Sequence, residues 1–146
     1  MALDGITDPH NVGALIRTAE AAAISAVILP KRRSAGITAS VYKSSAGAVE
    51  HVTIVRVTNL ASAIEEAKRS GFWAYGADAK GDLDLFEVEF QKKSLVALGG
   101  EGSGLSRIVR ESCDYLVKIP MAGTISSLNV SVAGALFMYE VFRRIR

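Results

Sequence analysis

Side chains that could bind a ligand or assist a reaction are concentrated in three short polar segments of this chain. The first polar segment is residues 8–13 (DPHNVG), and Arg17 follows it closely. The second is residues 99–105 (GGEGSGL), and the third is residues 119–131, which contain IPMAG and SSLNVS. Glycine, proline, asparagine and serine favour turns, so each segment predicts a loop that turns tightly or binds something. Loops at the ends of elements are where α/β proteins carry their chemistry.

The second polar segment holds one carboxylate, Glu101, among four glycines. It is not a phosphate-binding loop, because no Lys-Ser/Thr pair follows the glycines and the spacing is not that of a dinucleotide fingerprint. Ser103 is not the nucleophile of a hydrolase elbow, because the residue two positions before it is Glu101 and not glycine. The segment therefore predicts a flexible strand-to-helix turn in which bare backbone donors surround a fixed acceptor.

Two side chains of the first polar segment and its sequel are candidates for a site. Asn11 precedes a helix predicted over residues 12–24, and capping of that helix is its simplest role. Arg17 follows Leu15 and Ile16, so it is expected beside the apolar face of this helix and partly buried. A partly buried arginine needs an anionic or strongly polar partner. A surface ion pair is the alternative role for Arg17.

The third polar segment leads into a long helix predicted over residues 129–143. Thr124, Ser126, Ser127 and Asn129 come just before or at its start, and capping explains one of these side chains but not all four. The helix has apolar residues on more than one face, whereas a lone surface helix needs only one apolar stripe. A homodimer or burial within the monomer would account for this, and we expect a homodimer.

Composition excludes several classes of protein. His10 and His51 lack metal-ligand spacing and no His/Cys cluster exists, so no metal site is expected. Cys113 is the only cysteine, which excludes an internal disulfide and is typical of a reducing, cytoplasmic compartment. No stretch approaches the roughly 20 apolar residues of a membrane span, and the N-terminus has no signal-peptide pattern. We therefore expect a cytoplasmic protein with no membrane partner.

The net charge of +2 says little about partners, but basic residues cluster locally. One cluster is Lys31-Arg32-Arg33, a second is Lys92-Lys93, and a third lies near the C-terminus. Solvated loops and a favourable interaction with a helix dipole are the simplest explanation. The cluster at 31–33 is the best candidate for a phosphate contact, because it directly follows a predicted strand.

Strands alternate with helices along the chain, which predicts one α/β domain over residues 1–146. The strands are solidly apolar, as a parallel sheet covered by helices on both faces requires. Strands are predicted at 1–4, 26–29, 53–57, 72–77, 94–98 and 115–119. Helices are predicted at 12–24, 38–45, 60–70, 106–113 and 129–143.

The three polar segments, in this order, resemble the three motifs of the SpoU family of RNA ribose 2′-O-methyltransferases, in the SPOUT superfamily. Asn11-x-Gly13-x-x-x-Arg17 is similar to the first motif, and Gly100-Glu101-Gly102 to the second. Residues 119–121 with 127–131 are similar to the third. Residues 8–11 and 126–129 resemble in particular the bacterial enzymes that methylate a guanosine of 23S rRNA.

The resemblance implies a parallel-sheet fold with a deep trefoil knot near the C-terminus, which is an exception to the rule that chains do not thread loops. It also implies a homodimer, an RNA substrate bound across the dimer interface, and S-adenosyl-L-methionine as cofactor without a metal. The small N-terminal RNA-binding domain of the rRNA enzymes has no counterpart in these residues. Three loops would hold the cofactor, and their residues are Gly76, Ala77, Asp78, Leu98, Gly99, Gly100, Gly102, Ile119, Pro120, Met121 and Leu128.

The resemblance also assigns catalytic roles. Arg17 would activate the ribose 2′-hydroxyl, and because a guanidinium stays protonated we favour electrostatic stabilisation of the developing alkoxide over proton abstraction. Asn11 and Glu101 would fix Arg17 and the loop geometry, while Ser127 and Asn129 would position the ribose or the methionine end of the cofactor. A tRNA ribose methyltransferase, a non-catalytic RNA-binding or assembly factor, and a nucleotide-binding α/β enzyme remain as alternatives. The missing phosphate-loop lysine disfavours the last of these.

Overall fold

Seven strands form a single sheet in the computed structural model, which describes residues 1–146, and every pair of neighbouring strands is parallel. The strands are β1 (Ala2–Asp4), β2 (Ala26–Pro30), β3 (Thr53–Val57), β4 (Trp73–Ala77), β5 (Leu83–Asp84), β6 (Ser94–Gly99) and β7 (Tyr115–Lys118). The sheet order is β3-β2-β1-β6-β4-β7-β5. The predicted α/β class and all six predicted strands are confirmed, whereas the two-residue β5 was not predicted.

Five helices cover the two faces of the sheet. They are α1 (Pro9–Ala21), α2 (Ala39–Ser44), α3 (Leu60–Arg69), α4 (Arg107–Ser112) and α5 (Val130–Ile145). Alternate residues of one strand supply two cores: Val96 and Leu98 of β6 face the larger core, and Leu95 and Ala97 face the smaller one. The larger core lies under α1 and α5, and the smaller under α3 and α4.

The start of α1 differs from the sequence prediction. Asp8 caps the helix by accepting the backbone N–H of His10 at 2.9 Å, and Pro9 is the first helical residue. An Asp-Pro pair suits these two positions, because the carboxylate satisfies a free N–H and proline has none to satisfy. Asn11 therefore lies inside the first turn and is not the cap, so the predicted capping role is wrong.

Small residues set the spacing between the helices of the larger core. A Cβ at Gly13 of α1 would lie 1.8 Å from Oγ of Ser44 in α2. A Cβ at Gly134 of α5 would lie 2.2 Å from Cδ2 of Leu15 in α1. These glycines let α2 and α5 approach α1 more closely than any other residue would allow, and α5 in turn fixes the position of Asn129 at its N-terminus.

Candidate active site at the carboxyl edge of the sheet

The carboxyl ends of the parallel strands bring the three polar segments to one edge of the sheet. Asp4 of β1 pairs in register with Gly99 of β6, so the first and second segments begin on neighbouring strands. Gly76 of β4 pairs with Ala97 of β6, and Ala77 pairs with Val117 of β7, just before the third segment. Three loops predicted to hold a cofactor therefore follow three adjacent strands, which is where ligands bind in open α/β sheets.

The second polar segment folds back on itself after β6. Gly100 and Gly104 form an isolated antiparallel bridge, and a Cβ at Gly99 would lie 2.0 Å from the carbonyl carbon of Gly104. Gly102 and Gly104 have positive φ angles of 79° and 65°, a region that favours glycine. The glycines are therefore required by the turn itself, and this turn leaves Glu101 exposed at its tip.

Asp4 holds this turn at both ends. Its backbone carbonyl accepts the N–H of Gly100 at 2.9 Å, and its carboxylate accepts the N–H of Ser106 at 2.7 Å. The sequence predicts Asp4 only as the end of a strand, so this role comes from the structure. The signal was present, because a carboxylate directly after an apolar strand lies at the edge where ligand-binding loops gather.

Asn129 joins all three polar segments through its side chain. Its amide nitrogen donates to Oε1 of Glu101 at 2.5 Å and to Oδ1 of Asn11 at 3.1 Å. Glu101 also accepts the backbone N–H of Val130 at 3.2 Å, and the amide oxygen of Asn129 caps α5 by accepting the N–H of Ser131 at 3.0 Å. We call this arrangement the amide bridge (Asn11, Glu101 and Asn129).

Arg17 lies apart from the amide bridge within one chain. Its side chain is exposed and makes no hydrogen bond or ion pair, so the expected partial burial and the expected contact with Asn11 or Glu101 are not seen. The six residues from Asn11 to Arg17 advance α1 by about 9 Å and turn it to a different face. Arg17 therefore does not share a helix face with Asn11, the member of the amide bridge on α1.

Ile119 is half-buried against the larger core, whereas the other remaining predicted residues of the third segment are exposed and make no hydrogen bond. Backbone groups of residues 120–128 make no hydrogen bond within the chain, and the side chain of Ser127 makes none either. Met121, Ile125 and Leu128 expose 38%, 70% and 37% of their surface. Unpaired backbone groups beside exposed apolar side chains are what a planar heterocycle with polar edges would complement.

Asp78 in the loop after β4 is paired with an arginine of α4. Arg110 donates from Nε to Oδ2 of Asp78 at 2.7 Å, and the N–H of Lys80 donates to Oδ1 at 2.7 Å. Burial acts to raise the pKa of Asp78, but these hydrogen bonds outweigh it and hold the pKa below its usual value. The carboxylate is therefore charged and fixed, and the loop over residues 76–78 is tied to α4.

The comparisons with known proteins identify the class to which this fold and site belong. Residues 1–139 match the model of the SpoU rRNA Methylase family, so the chain belongs to that family. A Staphylococcus aureus protein assigned to the TrmH family of tRNA/rRNA methyltransferases is 50% identical over 142 residues. The match covers 97% of this chain and 57% of that relative, so the chain spans little more than half the length of the curated relatives it matches.

Solved structures give the same assignment. The SpoU methyltransferase AviRb from Streptomyces viridochromogenes, in complex with AdoMet, superposes with a TM-score of 0.89 at 34% identity, over 98% of this chain and 56% of that chain. A structure described as an RNA 2′-O ribose methyltransferase gives a TM-score of 0.86 at 27% identity, over 98% of this chain and 55% of that one. The expected family membership is thereby confirmed.

Two further features bear on the site and the surface. No helix in the structure has the length and apolar character needed to cross a membrane. No group of three or more His, Cys, Asp or Glu side chains is arranged to hold a metal ion.

Proposed function

We propose that this chain transfers a methyl group from S-adenosyl-L-methionine to a ribose 2′-hydroxyl of RNA in the cytoplasm. The observation that carries the proposal is the amide bridge, which joins Asn11, Glu101 and Asn129, each from a different polar segment. A binding-only protein has no need to hold a carboxylate and two amides in fixed contact at a ligand edge. We propose a guanosine of 23S rRNA as the target, with a tRNA ribose as the alternative.

The residues present fit the proposed cofactor. Residues 76–78, 98–102 and 119–121 lie at or just beyond the carboxyl ends of three adjacent strands. The free backbone groups over 120–128 lie beside exposed apolar side chains. These loops, with Leu128, would hold the cofactor by backbone hydrogen bonds and apolar contact. When bound, S-adenosyl-L-methionine supplies an activated methyl group on a sulfonium. The chain has only to align the reacting atoms and to stabilise charge on the oxygen.

Arg17 is the proposed stabiliser of the ribose oxygen. The oxygen gives up its proton to solvent or an RNA phosphate ahead of bond formation, so negative charge develops on it. Its bond to the methyl carbon would then form as the carbon–sulfur bond breaks, and S-adenosyl-L-homocysteine would leave as a neutral thioether. A guanidinium placed near this oxygen stabilises the transition state more than the ground state, and so accelerates the chemical step. Ser127 and Asn129 would position the ribose or the methionine end of the cofactor, and Glu101 would hold Asn129.

Because Arg17 makes no contact with the amide bridge of its own chain, we propose that a homodimer completes the site. An apolar groove of about 730 Å³ lies along the outer side of α5, and its lining includes Phe86, Val132, Leu136 and Tyr139. Val132 and Tyr139 each expose 49% of their surface, whereas Phe137 of the same helix is 1% exposed. The helix is thus buried on one face and apolar on another, which suits a second copy of this chain.

Subunit mixing tests whether the site is shared. Arg17→Ala and Glu101→Ala homodimers are both expected to be inactive, whether or not the site is shared. If the site is shared, a mixed dimer has one intact site of its two. After equal mixing and subunit exchange about half of the dimers are mixed, so about a quarter of wild-type activity should return. No recovery in mixtures that demonstrably exchange subunits would place Arg17 and Glu101 in the same chain's site.

We also propose that the C-terminal part forms the trefoil knot of the SPOUT superfamily. Two features support it: β7 is inserted between β4 and β5, and the chain then returns to pack α5 against α1 and β6. Pulling both ends of a single molecule tests the proposal. A knotted chain stops short of its full contour length after unfolding, and a chain that extends fully has no knot.

The reaction itself is tested with labelled S-adenosyl-L-methionine and unmodified ribosomal or transfer RNA. Incorporated label should map to a 2′-O-methyl ribose, and calorimetry with a chelator present should still show cofactor binding. Binding of ATP with no binding of S-adenosyl-L-methionine would instead favour a nucleotide-binding enzyme. Tight RNA binding with no methyl transfer would favour the assembly-factor alternative.

A further inference from the structure

Three consecutive cations follow β2 and have no partner within the chain. The side chains of Lys31, Arg32 and Arg33 are exposed, and none makes a hydrogen bond or an ion pair. Several other cations are engaged: Arg110 with Asp78, and Lys68 with Asp114. We call residues 31–33 the basic loop, and its concentrated charge contrasts with a net charge of only +2 for the whole chain.

The basic loop is held firmly at both ends. At its start, the N–H of Lys31 donates to the carbonyl of Val57 at 2.8 Å, and Arg56 donates to the Lys31 carbonyl at 3.4 Å. At its end, the N–H of the buried Ala35 donates to the carbonyl of Ile6 at 3.1 Å. A cationic loop whose backbone is already fixed loses little entropy when it binds an anion.

The basic loop lies at the same sheet edge as the amide bridge. It follows β2, and Glu101 follows β6, and both strands are neighbours of β1. Strand spacing places the ends of β2 and β6 roughly 10 Å apart. Ile6, which anchors the end of the basic loop, is two residues from Asp4, which anchors the glycine turn. The basic loop therefore lies at the edge of the sheet that carries the amide bridge, and not on a remote surface.

We propose that the basic loop is a phosphate-binding surface that places the RNA backbone relative to the candidate site. The proposal rests on the function proposed above, and it adds the residues that bind the substrate beside the reacting nucleotide. Each cation contacts an RNA phosphate, so the contacts are independent of base sequence and position the strand without specifying it. The basic loop acts on RNA binding and not on the cofactor.

The test compares two double variants that remove the same charge from opposite edges. Lys31→Ala/Arg32→Ala removes two cations from the basic loop, and Lys92→Ala/Lys93→Ala removes two just before the amino end of β6. The six residues of β6 separate these edges by roughly 20 Å. The affinity of each for a labelled single-stranded RNA is measured from about 50 to 200 mM salt, a range in which phosphate contacts change affinity strongly.

A third variant removes charge without disturbing the backbone. Arg33 has a positive φ of 55°, a conformation that glycine adopts freely, so Arg33→Gly should keep the shape of the loop. Each lost phosphate contact reduces the slope of log affinity against log salt by about 0.7. We therefore expect a slope smaller by about 1.4 in the basic-loop double variant and by about 0.7 in Arg33→Gly, using the same constant. The Lys92/Lys93 control should keep the wild-type slope.

Cofactor affinity and methyl transfer separate this proposal from the proposed function. The basic-loop variants should bind S-adenosyl-L-methionine normally and raise KM for RNA more than they lower kcat. Equal slopes in the variants, the control and the wild type would overturn the proposal that the basic loop binds RNA phosphates, even if methyl transfer is found. The basic loop would then be an ordinary solvated loop. Failure of the wild type to bind cofactor would instead overturn the proposed function. The dependence of RNA affinity on salt would still show whether the basic loop binds phosphate.

Discussion

The candidate site and the region around α3 and α4 hold their charged side chains in opposite ways. Beside α3 and α4, Lys68 lies 3.2 Å from Asp114, and Arg110 lies 2.7 Å from Asp78, so each charge meets its opposite within the chain. In the candidate site, Glu101 accepts only from an amide and a backbone N–H, and Arg17 has no partner. Asp78 of the loop at residues 76–78 is thus already paired within the chain, whereas Glu101 and Arg17 have no ionic partner there.

Under the proposed function, the difference separates charges that support the fold from charges that are held for a ligand. A paired charge on a surface helix adds a modest stabilisation and leaves little capacity for a further partner. Glu101 is fixed by uncharged donors, so it orients Asn129 without forming an ion pair. Arg17 has no partner within the chain, which is what its proposed role toward a ribose oxygen requires. Three sets of substitutions test whether this contrast holds.

Removing the unpaired cation of the site should have the largest effect. Arg17→Ala should slow methyl transfer by about 10²–10³, the loss measured when a preorganised donor to a developing oxyanion is removed. Arg17→Lys should also be slow, because a compact ammonium does not reproduce the planar guanidinium. The loss should appear in single-turnover methylation with RNA bound, and cofactor affinity should stay near the wild-type value.

Arg69→Ala is the matched control for this prediction. Arg69 is an exposed arginine at the end of α3, it has no ion pair either, and it takes no part in the candidate site. Its removal should leave the single-turnover rate unchanged. A normal rate in Arg17→Ala, or a simple loss of cofactor binding, would show that Arg17 has been given the wrong role.

The sequence predicted which loops meet but not how their side chains contact one another. Strand and helix patterns placed Glu101 and Asn129 beside element ends, and the parallel sheet brought those ends together. Arg17 was wrongly expected to be partly buried, because its position beside Leu15 and Ile16 does not determine which way a long side chain leaves the helix. The capping role given to Asn11 also failed, because the Asp-Pro pair before it is the better helix start.

Strand order could not be predicted, because it depends on long-range contacts that leave no local pattern. Nothing in β7 (Tyr115–Lys118) indicates that it inserts between β4 and β5, and the two residues of β5 are too few to show a strand period. Asp4 was missed for a related reason. Its contacts with Gly100 and Ser106 lie about a hundred residues away, so they appear only in the folded chain.

The glycine turn offers a second comparison, between the two loops that border the candidate site. Gly99→Ala would bring a Cβ within 2.0 Å of the Gly104 backbone, which cannot move without opening the turn. We expect a loss of stability of about 3 kcal/mol or more, at the upper end for overpacking, together with loss of cofactor binding. Gly123→Ala in the third segment meets nothing within 4 Å and should change stability by less than about 0.5 kcal/mol. Thermal unfolding with cofactor titration measures both, and equal stabilities would show that the turn is not closed.

The smallest expected effect concerns the paired charges, through the acid sensitivity of Asp78. Burial would raise the pKa of Asp78, but the hydrogen bond from Arg110 and the backbone N–H of Lys80 lower it below the usual value. A carboxylate with a lowered pKa in the folded state stabilises the fold above its unfolded pKa. An unfolded aspartate has a pKa of about 3.9. The stabilisation is therefore complete above about pH 3.9 and is lost as the pH falls from there through the lower pKa of the folded state.

Arg110→Gln should therefore raise the pKa of Asp78 and move acid unfolding to higher pH. Because the side chain of Arg110 is 44% exposed, solvent screens the pair, and the expected loss is below about 1 kcal/mol and smaller still in high salt. Arg107→Gln is the control, since Arg107 lies on the same helix but meets Glu111 only at 3.9 Å with both side chains exposed. The midpoint of acid unfolding should shift for Arg110→Gln and not for Arg107→Gln. Equal midpoints would mean that the Asp78–Arg110 pair is no stronger than an ordinary surface contact. Only the Lys68–Asp114 pair would then distinguish this region from Glu101 and Arg17.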